Sequence, residues 1–269
     1  MKQRLISAFF GIILLMLVIF SNALVLDIAV AVITALAVFE VMSALGLQTH
    51  KIMMTASILV AVFTPFRMSL TDMSLEITVF LYIAVLLLTM LFDHKRYNFL
   101  SVAEFFTVTM MLSLSFFHIT GIRHTEHGLL NLFLIFIGSW ITDTCAYFSG
   151  MLFGKHKRAP TISPKKTVEG AAGGALGTML VMTVYALCVK HFAAVNLNLP
   201  GVIILGILCG IFSQTGDLCA SIIKREHGIK DFGHIMPGHG GVMDRFDSLI
   251  FVSPIVYYFI SFFPIFTAR

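Results

Sequence analysis

The sequence predicts an all-α fold, a polytopic integral membrane protein of about nine transmembrane helices, on three observations. Hydrophobic residues make up 58% of the 269 and charged residues 12%, against roughly 25% charged in an average soluble domain. Apolar runs at 5–21, 23–45, 52–66, 75–92, 99–120, 128–149, 170–189, 200–220 and 248–267 have about the ~17–25 residues a spanning helix needs, the third being short. With these runs alternating across a bilayer, Arg67, Arg123, Lys190 and Arg269 fall on one side, and the remaining 14 of the 18 lysines and arginines fall on the other. Such an asymmetry marks the cytoplasmic side. The N-terminus is therefore expected in the cytoplasm and the C-terminus outside. The alternating pattern of an outer-membrane β-barrel is absent.

The first five runs form an N-terminal region, 1–127, and the remaining four a C-terminal region, 128–269. Lys2, Arg4 and Ser21-Asn22-Ala23 around the first run resemble a signal peptide, but the second apolar run follows at once and reads as its hairpin partner. Asp27, Glu40, Glu76 and Glu104 lie in or at the edges of these spans, and acids within a membrane are functional candidates by default. Asp27 and Glu76 are near span ends. Glu40 and Glu104 approach the cytoplasmic side, where they would serve as supporting residues. The histidines at 118, 124, 127 and 191 fall on the outer side without metal-ligand spacing.

The C-terminal region carries the polar chemistry. The sixth run ends near Asp143 and leads into a basic loop at 150–169. Gly150 to Lys155 is one residue short of a P-loop and has His156 where Ser or Thr is needed. Lys155, Lys157 and Arg158 read first as a topology signal, whereas Lys165 and Lys166, after Ser163-Pro164 and before Thr167 and Glu169, make a more specific pattern. Gly170, Gly173, Gly174 and Gly177, with Ala171 and Ala175, form small-residue repeats that predict close helix packing. The eighth run ends near Asp217. A second loop, about 221–247, follows, and Asp244 and Asp247 open the ninth run. The four cysteines lie in or at the ends of apolar runs without C-x-x-C spacing, as expected of reduced side chains packed among helices.

Residues 213–247 concentrate five acids, four lysines and arginines, three histidines and six glycines. A lipid-facing helix does not tolerate that density of charge. Asp143, Asp217, Asp244 and Asp247 come from three helix ends expected on one side of the membrane. They suit Mg²⁺, which takes oxygen ligands together with substrate phosphates. Nearby cations would bind what the metal binds. Pro237 to Gly241 is a turn whose backbone N–H groups suit phosphate, or a plain reversal before the next helix. His239 within it is a candidate phosphate donor or acid–base group.

Ser221-x-Ile223-Lys224-Arg225, Lys230-Asp231-x-Gly233 and Pro237-x-His239-Gly240-Gly241-Val242-x-Asp244-Arg245-x-Asp247 resemble the signature of the phosphatidate cytidylyltransferases, or CDP-diacylglycerol synthases. Met236 departs conservatively from the pattern. Asp143-Thr144-x-Ala146-Tyr147-Phe148-x-Gly150, Phe153-Gly154-Lys155, Ile162 to Thr167 with Glu169-Gly170, and Gly216-Asp217-Leu218 match as well. The resemblance covers roughly 140–250; the first half is similar only in its apolar spans. It implies the reaction of CTP with phosphatidic acid to give CDP-diacylglycerol and pyrophosphate, in phospholipid biosynthesis. It assigns catalytic roles to Asp217, Asp244, Lys224, Arg225 and Arg245. Phosphate binding goes to Ser163, Lys165, Lys166, Lys230, His239, Gly240 and Gly241. Mg²⁺ goes to Asp217, Asp244, Asp247 and Asp143, with room for a second metal ion. The expected partners are CTP, phosphatidic acid, membrane lipids and a second copy of the chain in a homodimer, and no nucleic acid. The expected location is a bacterial plasma (inner) membrane with the site on the cytoplasmic face. Two other readings are weighed against these residues. One is another membrane transferase, such as a CDP-alcohol phosphatidyltransferase or a lipid kinase; the former needs a D-G-x-x-A-R pattern followed by spaced aspartates, which the sequence lacks. A cation transporter needs acids near the bilayer midplane, rather than beside lysines at helix ends.

Overall fold

The computed structural model describes residues 2–68, 75–236 and 240–268. Every predicted apolar run carries a helix. In chain order these are α1 (Lys2–Ile19), α2 (Ala23–Ala44), α3 (Lys51–Phe63), α4 (Leu75–Phe92), α5 (Phe99–Arg123), α6 (Gly128–Phe136) continuing into α7 (Thr142–Phe153), α8 (Val168–Phe192), α9 (Leu199–Glu226), a one-turn α10 (Met243–Phe246) and α11 (Leu249–Phe262). Among the described residues, α2, α4, α5, the α6–α7 segment, α8 and α9 are long and apolar enough to cross a membrane; α11 and the apolar stretch Phe9–Ile19 are shorter. The protein is a helical, multi-pass membrane protein.

The chain divides into two compact units. The first comprises Met1–Thr120 and His227–Phe246. Here Asn22 caps α2 by accepting the Val25 N–H at 2.9 Å, and Gly46 ends it in the left-handed region at φ +77°, where glycine has no Cβ penalty. Buried polar groups tie the helices together. The Tyr82 hydroxyl of α4 lies 2.7 Å from Ser57 Oγ on α3, and 2.9 and 2.8 Å from the Phe105 carbonyl and Thr109 Oγ1 on α5. With no water in the bilayer core, such interhelical bonds hold where hydrophobicity does not discriminate.

The second unit comprises Gly121–Glu226 and Asp247–Arg269. Its first helix is interrupted by a π-helical turn, Ile137–Ile141, between α6 and α7. A small antiparallel hairpin follows, β1 (Lys157–Ala159) with β2 (Ser163–Thr167), and a second short pair, β3 (Asn196–Leu197) with β4 (Phe266–Thr267), joins the approach to α9 to the chain's end. The small-residue stripe of α8 packs within the chain. A Cβ on Gly173 would lie 2.1 Å from Ser149 Oγ and one on Gly177 2.5 Å from Cys145 Sγ, both on α7. On the other side of α8, Gly206 and Gly210 let α9 approach Met179 and Ala175.

Two features depart from the sequence reading. The expected basic loop 150–169 contains the hairpin, which alternation could not reveal because Lys157–Ala159 and Ser163–Thr167 are almost wholly polar. The expected loop 221–247 begins later, because α9 continues as helix through Glu226. Its last turns leave the apolar run but keep their backbone hydrogen bonds, so Ser221, Lys224 and Arg225 ride on a helix.

Candidate functional site

In the second unit, α9 carries Gln214, Asp217, Ser221 and Lys224 at spacings of three, four and three, which places them along one helical face. The Lys166 ammonium, on β2, pairs with the Asp217 carboxylate. The two side chains are 27% and 28% exposed, so the pair is only partly screened by water. Ser221 Oγ donates to Asp217 Oδ1 at 3.5 Å, the outer edge of a hydrogen bond. One helical turn on, Lys224 Nζ faces Asp247 Oδ2 at 3.9 Å, with both residues buried. Asp247 Oδ1 also accepts the Ser248 N–H at 2.8 Å. Gly216 makes this approach possible: a Cβ there would stand 2.8 Å from the Asp247 carbonyl oxygen. Asp143, in the first turn of α7, is solvent-reachable and lies within electrostatic reach of Asp217, Asp247 and Lys166. Three of the four predicted metal-ligating carboxylates therefore gather in this unit with the predicted cations Lys166 and Lys224.

The hairpin that delivers Lys166 is anchored at several points. Arg158 of β1 donates to Gln214 Oε1 at 2.6 Å, and the Gln214 amide nitrogen donates to the Ala171 and Gly210 carbonyls at 3.0 and 2.8 Å. Arg225 Nε donates to the Ile162 carbonyl at 3.3 Å. Glu169 accepts the backbone N–H groups of Lys155 (3.1 Å) and His156 (3.2 Å) and lies 2.6 Å from His156 Nδ1. Thr167 caps α8 by accepting the Gly170 N–H at 3.1 Å. Ser163 is half-buried on β2, and Lys165 points to solvent.

The remaining predicted residues belong to the first unit. Asp244 Oδ2 accepts the backbone N–H groups of Phe232 (2.8 Å) and Gly241 (3.0 Å). Met236 N–H donates to the Gly240 carbonyl at 3.0 Å, and Gly240 is at φ +85°, a conformation that favours glycine. His239 lies outside the described residues. Lys230 and Arg245 are exposed. Glu40 on α2, 3% exposed, accepts the N–H groups of Val242 and Met243 at 3.0 and 2.9 Å.

Gln214 and Arg158 were not singled out by their chemistry in the sequence. Gln214 had one available signal, its position three residues before Asp217 on the same helix. Among the described residues, no three Asp, Glu, His or Cys side chains close into a metal-binding group. What the second unit offers is a partly enclosed set of carboxylates with ammonium groups interleaved, an arrangement suited to binding polyanions through cations.

Comparison with known proteins agrees with this chemistry. The sequence profile described as "Cytidylyltransferase family" matches residues 2–263. A phosphatidate cytidylyltransferase of Bacillus subtilis is 30% identical over 272 residues, covering 98% of each chain. Proteins of the same name from Staphylococcus haemolyticus and Staphylococcus aureus are 38% identical over 172 residues and 42% over 131, matches that span 64% and 49% of each chain. The chain, matched along nearly its whole length, belongs to the cytidylyltransferase family.

Proposed function

We propose that the protein is a phosphatidate cytidylyltransferase that transfers CMP from CTP to phosphatidic acid, releasing pyrophosphate and leaving CDP-diacylglycerol in the membrane. The observation that carries this reading is the pairing of Lys166 with Asp217, which joins two stretches of the family pattern in one cluster with Asp143, Asp247 and Lys224. In the reaction, a phosphate oxygen of the lipid forms a bond to the α-phosphorus of CTP as the bond to the β-phosphate bridging oxygen breaks. Both reactants are anionic, so the principal barrier is charge repulsion. The lipid phosphate is already ionised near neutral pH and needs no dedicated base.

In donor chemistry, though not as a closed ligand group among the described residues, the cluster's carboxylates suit a hard divalent cation. Asp143, Asp217 and Asp247 are oxygen donors, with Asp143 within electrostatic reach of the other two, and the Lys166 ammonium already lies against Asp217. These three would hold Mg²⁺, and the resemblance assigns Asp244 to metal as well. When bound, the metal would shield the triphosphate and steady the leaving pyrophosphate. Lys166, Lys224 and Arg225 position phosphate groups and stabilise charge as it moves toward the leaving group. Arg245 is assigned a catalytic role, and Lys165 and Lys230 are assigned to phosphate binding with Ser163, His239, Gly240 and Gly241. A nine-span topology puts the N-terminus and this chemistry on the cytoplasmic side of the plasma membrane, where CTP is available, and a homodimer is the expected assembly.

The test is incubation of purified protein with labelled CTP, phosphatidic acid and Mg²⁺. The expected result is a labelled CDP-lipid and pyrophosphate, lost in Asp217→Asn. Absence of the labelled lipid with the wild-type chain, or an unchanged rate in Asp217→Asn, would overturn the reading.

A further inference from the structure

The first half of the chain lies outside the polar motifs at 140–250, yet it supplies a carboxylate that the last of those motifs is built around. Glu40 lies four residues before the end of α2 and is 3% exposed. Its two oxygens are used separately: Oε1 accepts the Val242 N–H at 3.0 Å and Oε2 the Met243 N–H at 2.9 Å. Two glycines make room for it. A Cβ on Gly233 would stand 2.4 Å from Glu40 Oε1, and one on Gly241 2.4 Å from Oε2, distances at which something must move. Asp244 holds the adjoining part of the turn by accepting the Phe232 and Gly241 N–H groups. Two carboxylates thus fix four backbone N–H groups, and Asp244 and His234 are within electrostatic reach of Glu40. A buried carboxylate in a membrane helix is costly. Two charge-assisted bonds from the backbone are the visible compensation.

We propose that Glu40 is a positioning residue for the reaction: by gripping the N–H groups of Val242 and Met243, it sets the first turn of α10 and with it the direction of Asp244 and Arg245. This rests on the reaction assigned above, and on Gly233 and Gly241 being glycines because Glu40 occupies the space beside them. Glu40→Gln is the informative change. The amide keeps one acceptor and turns an NH₂ toward the other N–H, so one bond is lost and a donor faces a donor. Bonds to charged groups are strong enough that kcat/KM should fall about tenfold or more.

A smaller folded fraction lowers apparent kcat alone, whereas a displaced turn also raises the KM of CTP or phosphatidic acid, so the KM shift separates positioning from simple loss of fold. Amide exchange of peptides covering 240–246 should quicken in Glu40→Gln while peptides of α8 and α9 are unchanged. Gly241→Ala provides a second arm that leaves α2 intact. It presses a methyl group onto Glu40 and should lower kcat/KM similarly, and adding Glu40→Gln should lower it little further, because both changes disturb the same contact. A wild-type chain that makes no CDP-lipid would remove the assigned reaction but leave the exchange arm to judge Glu40. Wild-type exchange at 240–246 in Glu40→Gln, or full activity in Gly241→Ala, would overturn the proposal.

Discussion

Replacing Lys166 by Met separates the structural and chemical roles of the cluster in the second unit. The variant keeps most of the unbranched side chain, one atom shorter, and removes its charge. Among the described residues, Asp217 then retains the long contact from Ser221, with Asp143 as a like charge nearby. Breaking a fully buried pair costs ~3–5 kcal/mol and losing an exposed one ~0–1 kcal/mol. With both partners about one-quarter exposed, the expected destabilisation lies between, about 1–3 kcal/mol. Activity should fall further, because a preorganised charged donor at a site of moving negative charge contributes about 10²–10³ in kcat. Adding Asp217→Asn removes the orphaned charge and should restore most of the stability without restoring turnover. Stability is read from denaturation midpoints in detergent, and activity from CDP-lipid formation at saturating and limiting CTP. Recovery of turnover alongside stability in the double variant would refute the reasoning, since the pair would then be structural only. So would a Lys166→Met enzyme within about threefold of wild-type kcat/KM.

Gly173→Val should destabilise the second unit by ~1–3 kcal/mol through overpacking against Ser149, and Ser149→Gly in the same chain should recover part of it; denaturation midpoints of the single and double variants check this. His50 is held below its ordinary pKa chiefly by burial, with Arg96 adding to the effect. Its Nδ1 is buried and has no hydrogen-bond partner among the described residues. Because the folded state prefers the neutral ring, the stability His50 contributes is present above its unfolded pKa, ~6.5, and is lost as pH falls through the lower folded value. The midpoint of His50→Phe should accordingly decline less than that of wild type as pH drops below about 6.5. For the topology, a reporter active only in the cytoplasm should be active when inserted between Lys157 and Arg158 and inactive when fused after Arg269. Activity at both positions would remove the nine-span arrangement.

Much of this molecule was legible because the bilayer imposes a coarse requirement on the chain. Each apolar run became a helix, since backbone groups in lipid must satisfy one another locally. The glycine stripe of α8 was readable as close packing because small residues at that spacing have few other uses. Lys166, Asp217, Asp143 and Asp247 were nameable in advance because charge in a greasy chain stands out. What was hidden depends on partners far away in sequence. Glu40 could be noted as an acid near a span's cytoplasmic end, but nothing in α2 indicates that it takes the N–H groups of Val242 and Met243. Gln214 looked like an ordinary polar residue in a span, and only the fold supplies Arg158 to its Oε1. The polar hairpin lacked the apolar alternation by which a strand is recognised.

The π-helical turn at Ile137–Ile141 gives the α6–α7 segment a phase jump. A residue added to or taken from a helix turns everything beyond it by about 100°, and widened turns of this kind carry one extra residue. The contacts of α7 all depend on that phase. Ala146 lies against Gly170 and Gly174, Ser149 against Gly173, Cys145 against Gly177, and Asp143 within reach of Asp217. Shortening Ile137–Ile141 by one residue would swing these groups off α8 together, although not one of them had been changed. For insertions and deletions, this five-residue window is therefore the most consequential stretch of the segment, and a one-residue deletion there acts as a rotation of half a site.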